Sequence, residues 1–260
     1  MKPKLLGLVA ALVALPTVAA VVPGRLADAV VPTAARSRTL SRPAAKGGIP
    51  TLVSVIVTTG NDVASLAARD ALRQPARQRQ LAACTTPGAG TSAYSLSGSR
   101  TASTTAHFNP AGAPVSGAAT AFQAAFGAWM GAGAPSISVA SDGTVRSATA
   151  DHTDELMFSA LRGRTLAVTY TWHWTTGEYE NDVVFNSKVP WFMAPGEGTG
   201  CYTGVNAYDL QDVATHEFGH IYGLGHVQSP YNTMYPTATT GETFKRSLAP
   251  GDAAGIRAIY

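Results

Sequence analysis

The chain has 260 residues, a formal net charge of +3 and 13% charged residues, about half the usual share of roughly 25%. With 45% hydrophobic residues it is not a disordered chain, and its length is enough for a sizeable core in one large domain or two small ones. The small net charge and the lack of a long basic run exclude a nucleic-acid partner. Two cysteines exclude a cysteine-ligated zinc cluster and a dense disulfide scaffold.

The charge is unevenly distributed. Residues 1–83 hold 11 basic and 3 acidic side chains, a net of +8, whereas residues 84–260 hold 8 basic and 13 acidic, a net of −5. Residues 1–20 read as a secretory signal: Lys2 and Lys4 open it, a short apolar run follows, Pro16 breaks the run, and Val18-Ala19-Ala20 supplies small residues for cleavage. The apolar run is too short to span a bilayer, and no later segment is apolar for about 18 residues. The expected product is therefore secreted and extracellular, with no stable membrane association after signal cleavage.

Residues 21–83 read as a basic pro-segment or linker. Its first part is rich in Ala, Pro and Arg without apolar period. Residues 51–57 (Thr-Leu-Val-Ser-Val-Ile-Val) predict a strand from their β-branched content. Residues 62–83 predict a helix with Arg69, Arg73 and Arg77 on one face. Gly, Ser and Thr then dominate to residue 105. A helix is predicted over 118–130, where Phe122, Phe126, Trp129 and Met130 form one apolar stripe. Strands follow at 136–140, 155–158, 165–171 and 182–186. A second helix runs from Leu210 to Tyr222, with Asp209 as N-cap and Asp212 in the first turn. A last short helix starts at Pro250.

The chemistry is concentrated in His216-Glu217-Phe218-Gly219-His220-Ile221-Tyr222-Gly223-Leu224-Gly225-His226. Histidines four apart on a helix share a face, so His216 and His220 converge on one ion. Gly223 is free to leave the right-handed helical region, letting the chain turn and return His226 as a third ligand. Three histidines around zinc leave an open position for water, whose pKa zinc lowers towards ~7. Glu217, adjacent to the first ligand, is then the general base that takes the water proton and the acid that passes it to a leaving amine.

At these residues the chain resembles the metzincin clan of zinc endopeptidases, and most closely the matrixins. Asn232-Thr233-Met234-Tyr235-Pro236 is similar to the clan's Met-turn, with Met234 eight residues after the third histidine. Asn181-Asp182-Val183-Val184-Phe185-Asn186 with Trp191, and Leu248 with Asp252 to Tyr260, extend the likeness over residues 104–260. The resemblance implies an α+β (mixed α/β) domain over 84–260. It would have a twisted five-stranded mixed sheet, two long helices and a small C-terminal subdomain carrying the Met-turn and a final helix. It also implies that Tyr235 and Pro236 line the pocket for the side chain after the scissile bond, and that a protein or peptide substrate lies extended beside an edge strand. Three departures stand out. Val227 replaces a serine common in animal matrixins, Gly251 stands at the first position of an acidic pair, and no complete cysteine-switch motif occurs.

Cys84 and Cys201 are an even pair in a secreted protein and predict a disulfide. The rival is a Cys84 thiolate in the open zinc position. A second, structural metal site from His152, Asp154 and His173, such as animal matrixins often carry, is weighed against ordinary surface or core histidines, which are favoured. Glu178, Glu180 and Asp182, or Asp151, Asp154 and Glu155, offer oxygen ligands for calcium, against the commoner reading of solvated acidic loops. Taken together the sequence predicts a secreted, monomeric zinc endopeptidase made as a zymogen. The basic pro-segment is expected to dock on the acidic domain. The rivals are a zinc-containing binding or adhesion module with little turnover, and a peptidase of cell-wall peptides.

Overall fold

β-Branched runs and two amphipathic stripes set the architecture, and they lie close to where the sequence places them. The computed structural model describes residues 48–61, 90–198, 202 and 204–260. The strands are β1 (Pro50–Asn61), β2 (Thr104–Phe108), β3 (Ile137–Ala140), β4 (Asp154–Ser159), β5 (Thr165–Trp174), β6 (Tyr179–Asn186), β7 (Trp191–Phe192), β8 (Tyr208–Asp209) and β9 (Thr237–Thr239). The helices are α1 (Ala118–Met130), α2 (Leu210–Ile221) and α3 (Pro250–Ile259), with a 3₁₀ turn at Phe244–Arg246. The helix predicted over 62–83, and both cysteines, lie outside the described residues.

Seven strands form one sheet in the order β3-β2-β4-β6-β5-β1-β9, and β7 pairs with β8 separately. β3, β2, β4 and β6 run parallel, and β5 is antiparallel to β6. The sheet is mixed, as expected, but it has seven strands rather than the five the resemblance implies; β3-β2-β4-β6-β5 is one run of five within it. β1 and β9 extend it: β1 pairs antiparallel with β5 and parallel with β9. The strand expected over 51–57 is thus longer than predicted and belongs to the main sheet. The sequence reading misses β2, which follows directly on a Gly, Ser and Thr-rich stretch, and β9, which has only three residues.

The core lies between one sheet face and the helices α1 and α2. Phe126 stacks on Phe218 of α2 at 3.8 Å between ring centroids, and Phe122 stacks on Phe185 of β6 at 4.8 Å. Trp129 is fully buried and its Nε1 donates to the Thr215 carbonyl at 2.8 Å. Each such aromatic contributes about 1.5–3 kcal/mol by burial. Together they fix α2 on α1 and the sheet. Asp209 caps α2, accepting from Asp212 N at 2.9 Å, and also takes a bidentate ion pair from Arg246 at 2.7 and 2.6 Å. No helix among the described residues is long and apolar enough to cross a membrane.

Candidate functional site

α2 presents His216 and His220 one turn apart on the same face, both 1% exposed. The helix stops at Tyr222, and Gly223 takes φ 97°, a left-handed conformation open to glycine at no steric cost. A Cβ at Gly223 would also lie 2.1 Å from the Ser99 carbonyl oxygen. The chain turns there, and His226 comes back to the helix. His216 Nε2 lies 3.2 Å from both His220 Nε2 and His226 Nε2. Among the described residues, these three are the one group whose His, Cys, Asp or Glu ligand atoms gather, within 4.8 Å of one another.

The other ring nitrogens are tied down. His216 Nδ1 donates to the Thr233 carbonyl at 2.6 Å, and His220 Nδ1 donates to the Leu224 carbonyl at 2.8 Å. With Nδ1 protonated, both Nε2 atoms turn lone pairs toward one point. Burial, with repulsion from neighbouring histidines, holds His216 well below its ordinary pKa and His220 at about 3. Burial and Lys245 hold His226 at about 4. Three neutral imidazoles with facing lone pairs cannot hydrogen-bond to one another, so the donor set fits a divalent cation, and nitrogen ligands in this number suit zinc.

Glu217 is fully buried. Its Oε2 accepts from the Thr169 hydroxyl of β5 at 2.5 Å, and its Oε1 has no hydrogen-bond partner among the described residues. Burial raises its pKa to about 7, against a lowering by the hydroxyls of Thr169 and Thr58. Thr58 Oγ1 lies beside this carboxyl, near enough to influence it but outside good hydrogen-bond geometry. A carboxyl of this kind, buried and poised near neutrality, is suited to proton transfer.

Met234 lies below the histidines, 1% exposed, against Gly219 of α2. A Cβ at Gly219 would sit 2.2 Å from Met234 Sδ, so any side chain there has to displace the thioether. The turn is held from α3: Asp252 accepts from Thr233 N at 2.7 Å, Met234 N at 3.3 Å and Ala249 N at 3.0 Å. Tyr235 and Pro236 are half-buried at the start of the path to β9, with Lys245 Nζ 5.6 Å from the Tyr235 ring centroid. Thr169 and Asp252 are site residues that sequence reasoning missed. For Asp252 a signal existed, since an acidic residue at the third helical position is placed to bind back to the helix start.

His152, Asp154 and His173 are not brought together. His152 stacks on Trp174 at 3.4 Å and its Nδ1 pairs with Glu178, while Asp154 accepts from Asn181 N at 2.7 Å. His173 stacks on Tyr179 at 4.5 Å. His173 and Trp174 are consecutive in a strand and face opposite sides, which separates the two histidines. The acidic residues nearby pin a loop. Asp182 accepts from Thr149 N and Glu155 N, and Glu180 accepts from Asp151 N, His152 N and Trp174 Nε1.

A family model described as matrixin, of the M10 peptidases, matches residues 107–260. Metalloendoproteinase 2-MMP of Arabidopsis thaliana is 33% identical over 144 residues, 54% of this chain and 36% of that protein. Matrix metalloproteinase-20 of Homo sapiens is 40% identical over 78 residues, 26% of this chain and 16% of that protein. Metalloendoproteinase 1 of Glycine max is 46% identical over 55 residues, 21% of this chain and 18% of that protein. The chain thus spans about a third or less of the length of these relatives.

Proposed function

Since the chain belongs to the matrixin family, we propose that it is a secreted zinc endopeptidase that hydrolyses peptide bonds in proteins. The observation that carries this reading is the trio of Nε2 atoms, His216 at 3.2 Å from each of the other two, on the helix that also carries Glu217. His216, His220 and His226 would hold the ion. When bound, zinc supplies an acidified water and a polarised substrate carbonyl. Glu217 would serve as general base toward the attacking water and as general acid toward the leaving amine, its buried carboxyl holding the proton between the two. Thr169 keeps the carboxylate aimed. Met234 is the floor on which the histidine helix rests, and Tyr235 and Pro236 border the pocket for the side chain after the scissile bond.

The same reading gives residues 1–20 as a cleaved signal, 21–83 as a pro-segment and 84–260 as the peptidase domain of a monomeric enzyme. A Cys84–Cys201 disulfide belongs to the same reading, and both cysteines lie outside the described residues. The test is hydrolysis of a denatured protein by the secreted chain. A chelator should abolish it, and Glu217→Ala should lower it by about 10²–10⁴-fold, the usual weight of a general base. Activity surviving either control would remove the mechanism. Binding of a protein without hydrolysis would favour the adhesion reading.

A further inference from the structure

β5 ends the run of five strands β3-β2-β4-β6-β5, and its outer edge is covered by β1. The pairing runs from Pro50 opposite Trp174 to Thr59 opposite Thr165. Beyond it the strand enters the gap between β5 and β9. Gly60 N donates to the Arg164 carbonyl at 2.8 Å, Thr59 N to the Pro236 carbonyl at 3.4 Å, and Thr59, Gly60 and Asn61 stand opposite Thr237, Ala238 and Thr239. One side of the strand faces α2. On that side Thr58, 1% exposed, has its hydroxyl beside the Glu217 carboxyl. On the other side Val53, Val55 and Val57 remain 48%, 47% and 36% exposed.

We propose that Pro50–Asn61 is a tethered occupant of the peptide-binding cleft, laid across β5 and β9 with Thr58 at Glu217, and that substrate enters only when this strand is displaced. The proposal rests on the peptidase reading. An extended peptide recognised by strand addition needs the free N–H and C=O groups of a sheet edge. β1 uses those of β5 and reaches the catalytic carboxyl with the same backbone. The seat is specific at one point: a Cβ at Gly60 would lie 2.3 Å from Tyr208 Oη and 2.9 Å from Leu166 Cδ2. The strand contains no charged residue. Its hold is therefore a backbone ladder that is buried at Thr58 and Gly60, rather than the attraction of charged side chains within the strand. An exposed valine row on the other face leaves it shallowly held and displaceable.

Gly60→Leu in the full-length chain tests this, because the added side chain has no room while His216, His220, His226 and Glu217 are untouched. In the Glu217→Ala background, hydrogen exchange should show β5 amides protected, and Gly60→Leu should speed their exchange about tenfold or more. In the active chain the same substitution should raise the initial rate on a short peptide several-fold. A synthetic peptide of residues 50–61 should then reverse the gain, and 1 M salt should not reproduce it. Unchanged β5 exchange, or an unchanged rate in a chain that does hydrolyse peptide, overturns the proposal. Faster exchange with no hydrolysis in either form instead overturns the peptidase reading and leaves the seating of the strand standing.

Discussion

Thr169 Oγ1 donates to Glu217 Oε2 at 2.5 Å across 48 residues of sequence, tying β5 to the carboxylate beside the histidine cluster. Glu217 is fully buried, and Thr169 is 0% exposed. The hydroxyl favours the ionised carboxylate and fixes its direction, both of which a general base needs. Thr169→Val keeps the shape and removes the donor. A hydrogen bond to a charged group contributes about 1.5–3 kcal/mol, so kcat should fall by roughly 10–100-fold. KM and bound zinc, read by metal analysis, should stay unchanged. A fall in zinc content together with kcat would show that Thr169 acts on the fold of the site instead.

The turn at Met234 depends on one carboxylate. Asp252 takes the N–H groups of Thr233, Met234 and Ala249, and Thr233 in turn supplies the carbonyl that fixes His216. Asp252→Ala leaves these buried donors unpaired at about 1–3 kcal/mol each. The variant should lose at least ~3 kcal/mol in urea unfolding and bind zinc more weakly. Equal unfolding midpoints for variant and parent would refute this role.

The legibility of the site follows the distance over which its contacts act. His216 and His220, the Asp209 cap and the turn at Gly223 are local, so spacing and residue type announce them. The aromatic stripe of α1 is local as well, and it predicts the helix that α2 packs on. Thr169 on Glu217 and Asp252 on Thr233 join residues 48 and 19 apart, and neither residue type is unusual where it stands. The same limit applies to β1. Its β-branched run predicts a strand, but the partner is chosen by a free edge more than 100 residues away. The charge count is silent on this pairing: the charged side chains of residues 1–83 all lie outside Pro50–Asn61, which carries none.

Two glycines near the histidines should respond differently to alanine. At Gly219 the added Cβ meets Met234 Sδ at 2.2 Å and Trp129 Cζ2 at 2.7 Å. Met is flexible and yields, so overpacking of about 1–3 kcal/mol is partly offset by the helix preference of alanine. At Gly223 the clash at 2.1 Å is with backbone, and φ 97° disfavours any Cβ. Gly223→Ala should therefore cost more in thermal stability than Gly219→Ala and should weaken zinc binding by moving His226. The reverse order in calorimetry and zinc titration would contradict this geometry.

The metal-free chain should be least stable at alkaline pH. Burial lifts Asp182 to about 9, Glu155 to about 8 and Asp154 to about 7. Each keeps its proton in the folded state at pH values where the unfolded chain has lost it. The stability they give is full below their unfolded pKa near 4 and is lost as pH rises through the folded values. The three histidines act oppositely. Their folded pKa values are depressed, so the folded state binds fewer protons below pH ~6.5 and stability falls on acidification there. The two slopes oppose each other between pH ~4 and ~6.5. Above pH ~6.5 only the carboxyls act, and the urea midpoint should decline steadily to pH 9. Asp182→Asn with Glu155→Gln should flatten that decline, because both groups then stay neutral in either state. A midpoint that rises from pH 7 to 9 in chelator would mean that these carboxyls are ionised in the fold.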